Sequence, residues 1–434
     1  MGEVALQGER VLMRTFLFLS SFLLALSYLH CDSSSRPVAD VAKDADISDL
    51  SDVSDNTNNH HPVLPVDLEL TEQDRFIIAQ DMGHLAFPSL ARLEDGRLLL
   101  VYRQGDSHVD ATGRIMKQFG TADGRTWSAP EVLYDEPDMD DRDPSVARLQ
   151  DGRLIVTYFQ YRGQRIGTDT IYLHETFQLI STDDGETFSG PVQITPGVME
   201  APEGTHLDEN GRWAYPDGKL VIVHASSAPL VETPEGLILP NYGGNAINLN
   251  NIAGCLRSTI SLFGSLDGGN TWDEVEVLPG AVSNVWLQEP SLVRTFSGRL
   301  VMQIRTAYGT TPSTPGDLAQ TVSLDGGRTW SPWKTFSFVG HAPDLIQLDH
   351  GALLSGFREI NREFTNEWVS LMVSCDEGST WSTPLRVEDC GAVECGYPSF
   401  AQLDDFHFLM VYYGPGGASI TGVVFQAVPV YAAD

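Results

Sequence analysis

The chain has 434 residues, 42% of them hydrophobic, enough to bury a large core in one or more domains. Only 20% are charged, yet the formal net charge is −32, which argues against nucleic acid, whose binding needs a basic stripe. In that negative field an anionic ligand needs a local cluster of arginines to hold it.

At the start, Arg10 and Arg14 precede the apolar run FLFLSSFLLALSYL. The pattern predicts a signal peptide over 1–31, too short to span a membrane, and export to the periplasm, the cell surface or the medium. Cys31 follows at once and raises a lipid anchor, although His30 before it is bulkier than such sites accept; ordinary cleavage nearby is the alternative. Residues 32–70, rich in Ser, Asp and Asn, read as a disordered acidic linker. Of the remaining cysteines, Cys390 and Cys395 in CGAVEC stand close enough to pair after export, while Cys255 and Cys375 read as small buried hydrophobes. No histidine pair accompanies CGAVEC in the sequence, so a metal site is not expected there.

Over 71–434 two repeats alternate. STDDGETF (181–188), SLDGGNTW (265–272), SLDGGRTW (323–330) and SCDEGSTW (374–381) share one frame, and GTADGRTW (120–127) is a degenerate copy with Ala122 at the aspartate position. Gly supplies the positive φ of a tight turn, Asp accepts backbone N–H bonds across it, and the closing aromatic packs as the next strand begins. These are structural hairpin tips. Between them, LEDGRLLLVYR (from 93), LQDGRLIVTYF (149), YPDGKLVIVHA (215), TFSGRLVMQIR (295), LDHGALLSGFR (348) and LDDFHFLMVYY (403) each read as a turn followed by a short apolar strand. Two hairpin turns per unit imply four strands, and six such units predict an all-β, six-bladed β-propeller; a sandwich of hairpins is the alternative. RFIIAQ (75–80) is expected to add an outer strand to the last unit and close the ring.

Five units open on a proline: Pro88, Pro144, Pro290, Pro343 and Pro398. Each hairpin should return to place Phe87 beside Arg103, Asp143 beside Phe159, Glu289 beside Arg305, Ala342 beside Arg358 and Tyr397 beside Tyr413. These residues share the face that carries the irregular connections, where binding usually resides. Arg103, Arg305 and Arg358 gathered about Glu289, Tyr397 and Asp143 suit an anion, unless each arginine merely neutralises a neighbouring carboxylate.

The S-x-D-x-G-x-T-W units resemble the Asp boxes of the sialidase superfamily, and the resemblance covers roughly 74–430, with HAPDLIQLDHGALLSGFR similar to the bacterial branch. It implies that Glu289 in LQEPSLV and Arg305 in VMQIR are the family's glutamate and following arginine. It further implies that Tyr397 in CGYPSF is the nucleophile and Asp110 in DSHVDATG the acid/base, with Asp106 a competitor. Arg358 would be the third-region arginine, with Arg362 as the alternative. The family's first arginine, two residues before the opening proline, is here Ala86. Arg103 or Arg142 would then hold the substrate carboxylate, with Asp143 also lining the site, or the substrate is not a common sialic acid.

The resemblance implies a retaining exo-glycosidase that releases a sialic acid or related ulosonic acid from an acidic glycan. A neutral phenol escapes the repulsion that a carboxylate nucleophile would meet at such a carbon, and sialidases are the known tyrosine exception among glycosidases. A non-catalytic acidic-glycan-binding propeller and a polysaccharide lyase are the alternatives. Nothing in the sequence calls for a metal or organic cofactor, and the partner expected is the glycan alone, with no nucleic acid and no membrane span.

Overall fold

The computed structural model describes residues 63–246, 258–277, 285–308 and 314–432. The expected signal peptide, Cys31, most of the linker and Cys255 lie outside the described residues. The described part is built of β-strands, with one 3-10 turn at Pro415–Gly417. No described helix is long and apolar enough to cross a membrane.

Apart from the short pair His206–Leu207 with Trp213–Ala214, the strands group into antiparallel sheets, numbered here I to VI. Sheet I comprises His84–Arg92, Leu98–Gly105, Arg114–Gly120 and Glu131–Tyr134, and sheet II Asp140–Arg148, Leu154–Ile166, Asp169–Ser181 and Ser189–Gln193. Sheet III holds Ile222–Ala225 and Val231–Thr233 along one edge of Gly236–Asn245, then Thr259–Ser265 and Asp273–Val277. Sheet IV has Val285–Arg294, Leu300–Tyr308 and Asp317–Ser323. The long strand Lys334–Gln347 begins as the outer strand of sheet IV, pairing Ala319 with Thr335, and ends as the first strand of sheet V, pairing Asp344 with Gly356. Leu353–Ile360, Glu367–Ser374 and Leu385–Gly391 complete sheet V. Sheet VI is Gly396–Asp404, His407–Tyr413, Ser419–Val430 and, as its outer strand, Asp67–Gln80. The expected outer strand thus exists, but it begins at Asp67, inside the segment read as linker.

Burial follows position in the sheet. Leu98–Gly105 is buried along nearly its whole length, whereas the outer strand Ser189–Gln193 is exposed throughout. A strand covered on both faces needs no polar alternation, which is why LLLVY can run uninterrupted. The apolar clusters lie between successive sheets. Val101 and Ile115 of sheet I meet Val156 and Tyr158 of sheet II, and Ile155 meets Leu239 of sheet III. Leu262 meets Met302 of sheet IV, and Val301 meets Leu353 of sheet V. Leu354 of sheet V, Phe408 of sheet VI and Leu100 of sheet I share one cluster.

The Asp boxes are hairpin tips with one bonding scheme. Asp183 accepts from the Thr187 backbone at 2.9 Å and the Thr187 hydroxyl at 2.6 Å, while Ser181 Oγ accepts from Gly185 N at 2.9 Å. Asp267, Asp325 and Asp376 repeat it with Thr271, Thr329 and Thr380. Where Ala122 occupies the aspartate position, Asp123 takes over by accepting from Thr121 Oγ1 at 2.6 Å.

One of the six expected turn-and-strand repeats is misplaced. YPDGKLVIVHA does contain a turn at 215–218, but Ile222–Ala225 after it is a first strand, paired with Gly236–Asn245. The turn that joins the first two strands of sheet III is Thr233–Gly236. Its opening proline is therefore Pro229, which lines a narrow central hollow with Pro88, Pro144, Pro343 and Pro398.

Candidate active site

Five opening prolines, Pro88, Pro144, Pro290, Pro343 and Pro398, sit in β-bulges, and the residue before each has a positive φ: Phe87 at 55°, Asp143 at 50°, Glu289 at 47°, Ala342 at 48° and Tyr397 at 48°. For non-glycine residues this left-handed conformation costs about 1 kcal/mol or more and persists only where the surroundings enforce it. The bulge moves the expected pairing by one residue. Arg103 faces Ala86, Arg305 faces Gln288 and Arg358 faces His341 across the ladder, while the pre-proline residue is left over.

Glu289 is the centre of the bonded group. Its Oε1 accepts from Tyr397 Oη at 2.6 Å and from Arg305 Nη1 at 2.5 Å, and its Oε2 accepts from Ala342 N at 3.0 Å. Burial pushes the Glu289 carboxyl up, but Arg305, Tyr397 and Arg358 outweigh it and hold the group below the usual carboxylate range. Burial and the charges of Glu289 and Asp143 hold the Tyr397 phenol well above its ordinary value. The resting pair is a neutral phenol donating to an ionised carboxylate.

Arg358 is 9% exposed and donates from Nη2 to His341 Nδ1 at 3.2 Å, with Glu367 3.6 Å from Nη1. Burial, with Arg305 and Arg358 nearby, pushes His341 well below its ordinary value, so it is a neutral acceptor. The Nε atoms of Arg305 and Arg358 have no hydrogen-bond partner among the described residues. Arg362 is exposed and pairs with Asp317 at 2.8 Å and the Ser337 carbonyl at 3.1 Å.

Arg103 lies deeper than the sequence suggested. It is fully buried, donating from Nε to Asp140 at 2.7 Å and from Nη1 to the Ser107 carbonyl at 2.9 Å. It braces the 106–113 loop from beneath. Arg142 bonds the other oxygen of Asp140 at 3.1 Å and lies over the ring of Phe87, 5.1 Å from its centroid. Its Nε is 3.5 Å from Asp143, a buried carboxyl that burial pushes up to about 7 against the pull of Arg142.

Asp110 is on the 106–113 loop. Burial pushes its carboxyl up, but bonds from Thr112 and Ser107, including the 2.8 Å contact from Ser107 Oγ, hold it well below the usual range. Asp106 lies on the same loop, its backbone donating to Thr112 Oγ1 at 2.9 Å.

Tyr242 was not foreseen. It stands on the second strand of sheet III, paired with Ala225 and Ile260. Burial and the charges of Asp143 and Glu289 hold its phenol well above its ordinary value, which places it in the same electrostatic group. The shorter turn at Thr233–Gly236, once recognised, would have pointed to it.

The family model of the BNR repeat-like domain matches residues 141–410. No curated protein matches the chain in sequence. Among solved structures, a protein of unknown function from Dyadobacter fermentans DSM 18053 is 21% identical over 83% of this chain and 99% of its own, with a TM-score of 0.66. The intramolecular trans-sialidase from Ruminococcus gnavus in complex with oseltamivir carboxylate is 14% identical, covering 82% of this chain and 96% of its own, with a TM-score of 0.53. The Penicillium chrysogenum alpha-L-arabinanase complexed with arabinobiose is 13% identical, covering 82% and 98%, with a TM-score of 0.56.

Proposed function

The chain belongs to the BNR repeat-like domain family, and from that premise we propose that it is a retaining exo-glycosidase acting on acidic sugars at glycan ends. The sheets are read as the six blades of a propeller, in keeping with the order in which the apolar clusters link neighbours. The sugars are sialic acids or related ulosonic acids, and the enzyme works after export from the cell.

The observation that carries this reading is the contact of Tyr397 with Glu289 at 2.6 Å, with Arg305 on the same carboxylate oxygen. Tyrosine is a poor nucleophile at its ordinary pKa of about 10 and needs a base within hydrogen-bond reach. Glu289 is such a base, kept ionised by the arginines. Tyr397 attacks the anomeric carbon as its proton passes to Glu289, and Asp110 protonates the leaving oxygen once bound substrate displaces the Ser107 and Thr112 donors that keep this carboxyl ionised in the free protein. The glycosyl-enzyme is then hydrolysed by water, with Asp110 acting in reverse. Arg305 and Arg358 bind the substrate carboxylate through charge-assisted hydrogen bonds, and Arg142 and Asp143 line the sugar beside them.

A screen of fluorogenic and natural acidic glycosides, with the released sugar identified, tests the substrate class. On any substrate found, Tyr397→Phe should lower kcat roughly a thousandfold or more while the far-ultraviolet circular dichroism stays unchanged. Near-normal turnover by that variant would remove the nucleophile assignment. Saturable binding of acidic sugars without turnover of any of them would leave a glycan-binding wheel instead.

A further inference from the structure

CGAVEC has a histidine pair after all, supplied by a different part of the chain. The disulfide Cys390–Cys395 closes the turn that carries Glu394. His84, from the start of the first strand of sheet I, places Nε2 3.1 Å from Glu394 Oε1, and His108, from the 106–113 loop, places Nδ1 2.9 Å from that oxygen. One donor atom from each of the three residues lies within 4.8 Å of the other two.

Two nitrogens and a carboxylate oxygen at these separations form a metal-ligating set. Zinc bonds imidazole nitrogen at about 2.0–2.1 Å, which puts tetrahedral donors about 3.3 Å apart. His84 Nε2 makes a hydrogen bond to Glu394 Oε1 at 3.1 Å. The His108 Nδ1 is buried yet makes no hydrogen bond of acceptable direction, despite its closeness to the carboxylate. Both imidazole nitrogens stand against one carboxylate oxygen, Glu394 Oε1.

The frame is stiff. A Cβ at Gly417 would come within 2.6 Å of the His84 ring, so the glycine lets the 3-10 turn close directly on that ligand. Gly416 N donates to the Glu394 carbonyl at 2.7 Å. The rings of His84 and His108 meet edge to face at 5.3 Å.

The cluster adjoins the site already described. The His108 ring lies 5.5 Å from Phe87, whose ring is 4.6 Å from Tyr397. His84 is two residues before Ala86 on one strand, hence on the same side of it. Ala86 is the position at which an arginine would be expected to hold a substrate carboxylate.

We propose that His84, His108 and Glu394 bind one divalent transition-metal ion of the zinc class at the rim of the Tyr397 pocket. This ion supplies there the positive charge that Ala86 lacks, and its open coordination positions take an oxygen of the acidic sugar. The substrate half of the proposal rests on the reading under Proposed function; the metal half does not. Two imidazoles favour zinc, cobalt or nickel over calcium, which prefers oxygen donors.

The test uses the full chain, freed of purification tags and stripped with a chelator. Titration calorimetry with zinc chloride, checked by elemental analysis after dialysis, should show one zinc per chain and far weaker binding of calcium chloride. His108→Ala and Glu394→Gln should each weaken zinc by at least about tenfold with the disulfide intact. Both are at the rim and partly exposed, so the fold should survive, and the melting temperature of the stripped proteins checks this. Absence of zinc binding, or equal binding by wild type and both variants, would overturn the proposal. For the substrate half, stripping should raise KM for an acidic glycoside more than it lowers kcat. An unchanged KM would overturn that half while the stoichiometry still stood. Turnover retained in Tyr397→Phe would refute the nucleophile and leave the zinc result untouched.

Discussion

At the scale of single residues, Tyr397 and Glu289 should behave as one unit. The phenol donates to a carboxylate that three further donors and charges keep ionised, namely Arg305, Arg358 and the Ala342 N–H. Glu289→Gln keeps the size of the side chain but removes the base, and should cost turnover about 10²–10⁴-fold. Groups that act together are not additive when removed. The double variant Tyr397→Phe/Glu289→Gln should therefore be no slower than the worse single variant. Kinetics of the four proteins on one substrate form a cycle; fully multiplicative losses would show that the two residues work independently. The grouping was legible in the sequence because Pro290 and Pro398 each stand a fixed distance before their turn, which brings Glu289, Arg305 and Tyr397 to one face; the roles came from the resemblance to the sialidase superfamily. The burial of Arg103 was not legible, since its partner Asp140 arrives from the next sheet. The ring of donors around Glu394 was hidden for the same reason: its members come from three segments, and no spacing in the chain links them.

At the scale of elements, the repeated tips and the bulges do different work. A tip such as 323–330 is held by Asp325, which accepts from Thr329 N at 2.8 Å and Thr329 Oγ1 at 2.6 Å, on the exposed end of sheet IV. Replacing it by alanine should lower the melting temperature yet leave kcat/KM unchanged, because no bond of the tip reaches Glu289 or Tyr397. Scanning calorimetry beside steady-state kinetics checks this; a large loss of kcat/KM with little change in melting would assign the tip a direct functional role. The bulges behave the opposite way, since each turns a pre-proline side chain out of the ladder and supplies a site group. Strand pattern and tip chemistry were readable because both are local. In sheet III the local signal misled: YPDG has every feature of the repeated turn, whereas the true turn, TPEG, carries a second proline and comes one residue sooner after Pro229. Tyr242 was lost with that register. Register between strands depends on what the opposite strand buries, which one segment does not reveal.

At the scale of the whole molecule, the carboxyls fall into opposed classes that set the pH of greatest stability. Burial pushes Asp141, Asp143, Asp344 and Glu175 each up to about 7. Each holds a proton in the folded state that it would release when unfolded, so stability falls as pH rises from about 4 through 7. Asp183, Asp267 and Asp325 are instead held down to about 2 by their threonine and serine partners. Their contribution is complete above the ordinary aspartate value and is lost as pH falls towards 2. His174, lowered to about 3 by burial, and His341, lowered by burial and two arginines, also favour higher pH, since unfolding lets them take up protons below about 6.5. With His350, which burial also lowers, the depressed histidines number three, still fewer than the four raised carboxyls across that window. Above it, self-repulsion within a chain of formal charge −32 acts in the same direction as the carboxyls. The melting temperature should therefore peak near about pH 5 and fall on both sides, by several degrees towards about pH 8 and more steeply below about pH 3. Calorimetry across that range at constant ionic strength measures it. A melting temperature that climbs steadily from pH 5 to 8 would mean that the buried acids are ionised in the native protein, and with them the neutral state of Asp143 beside the pocket would fall.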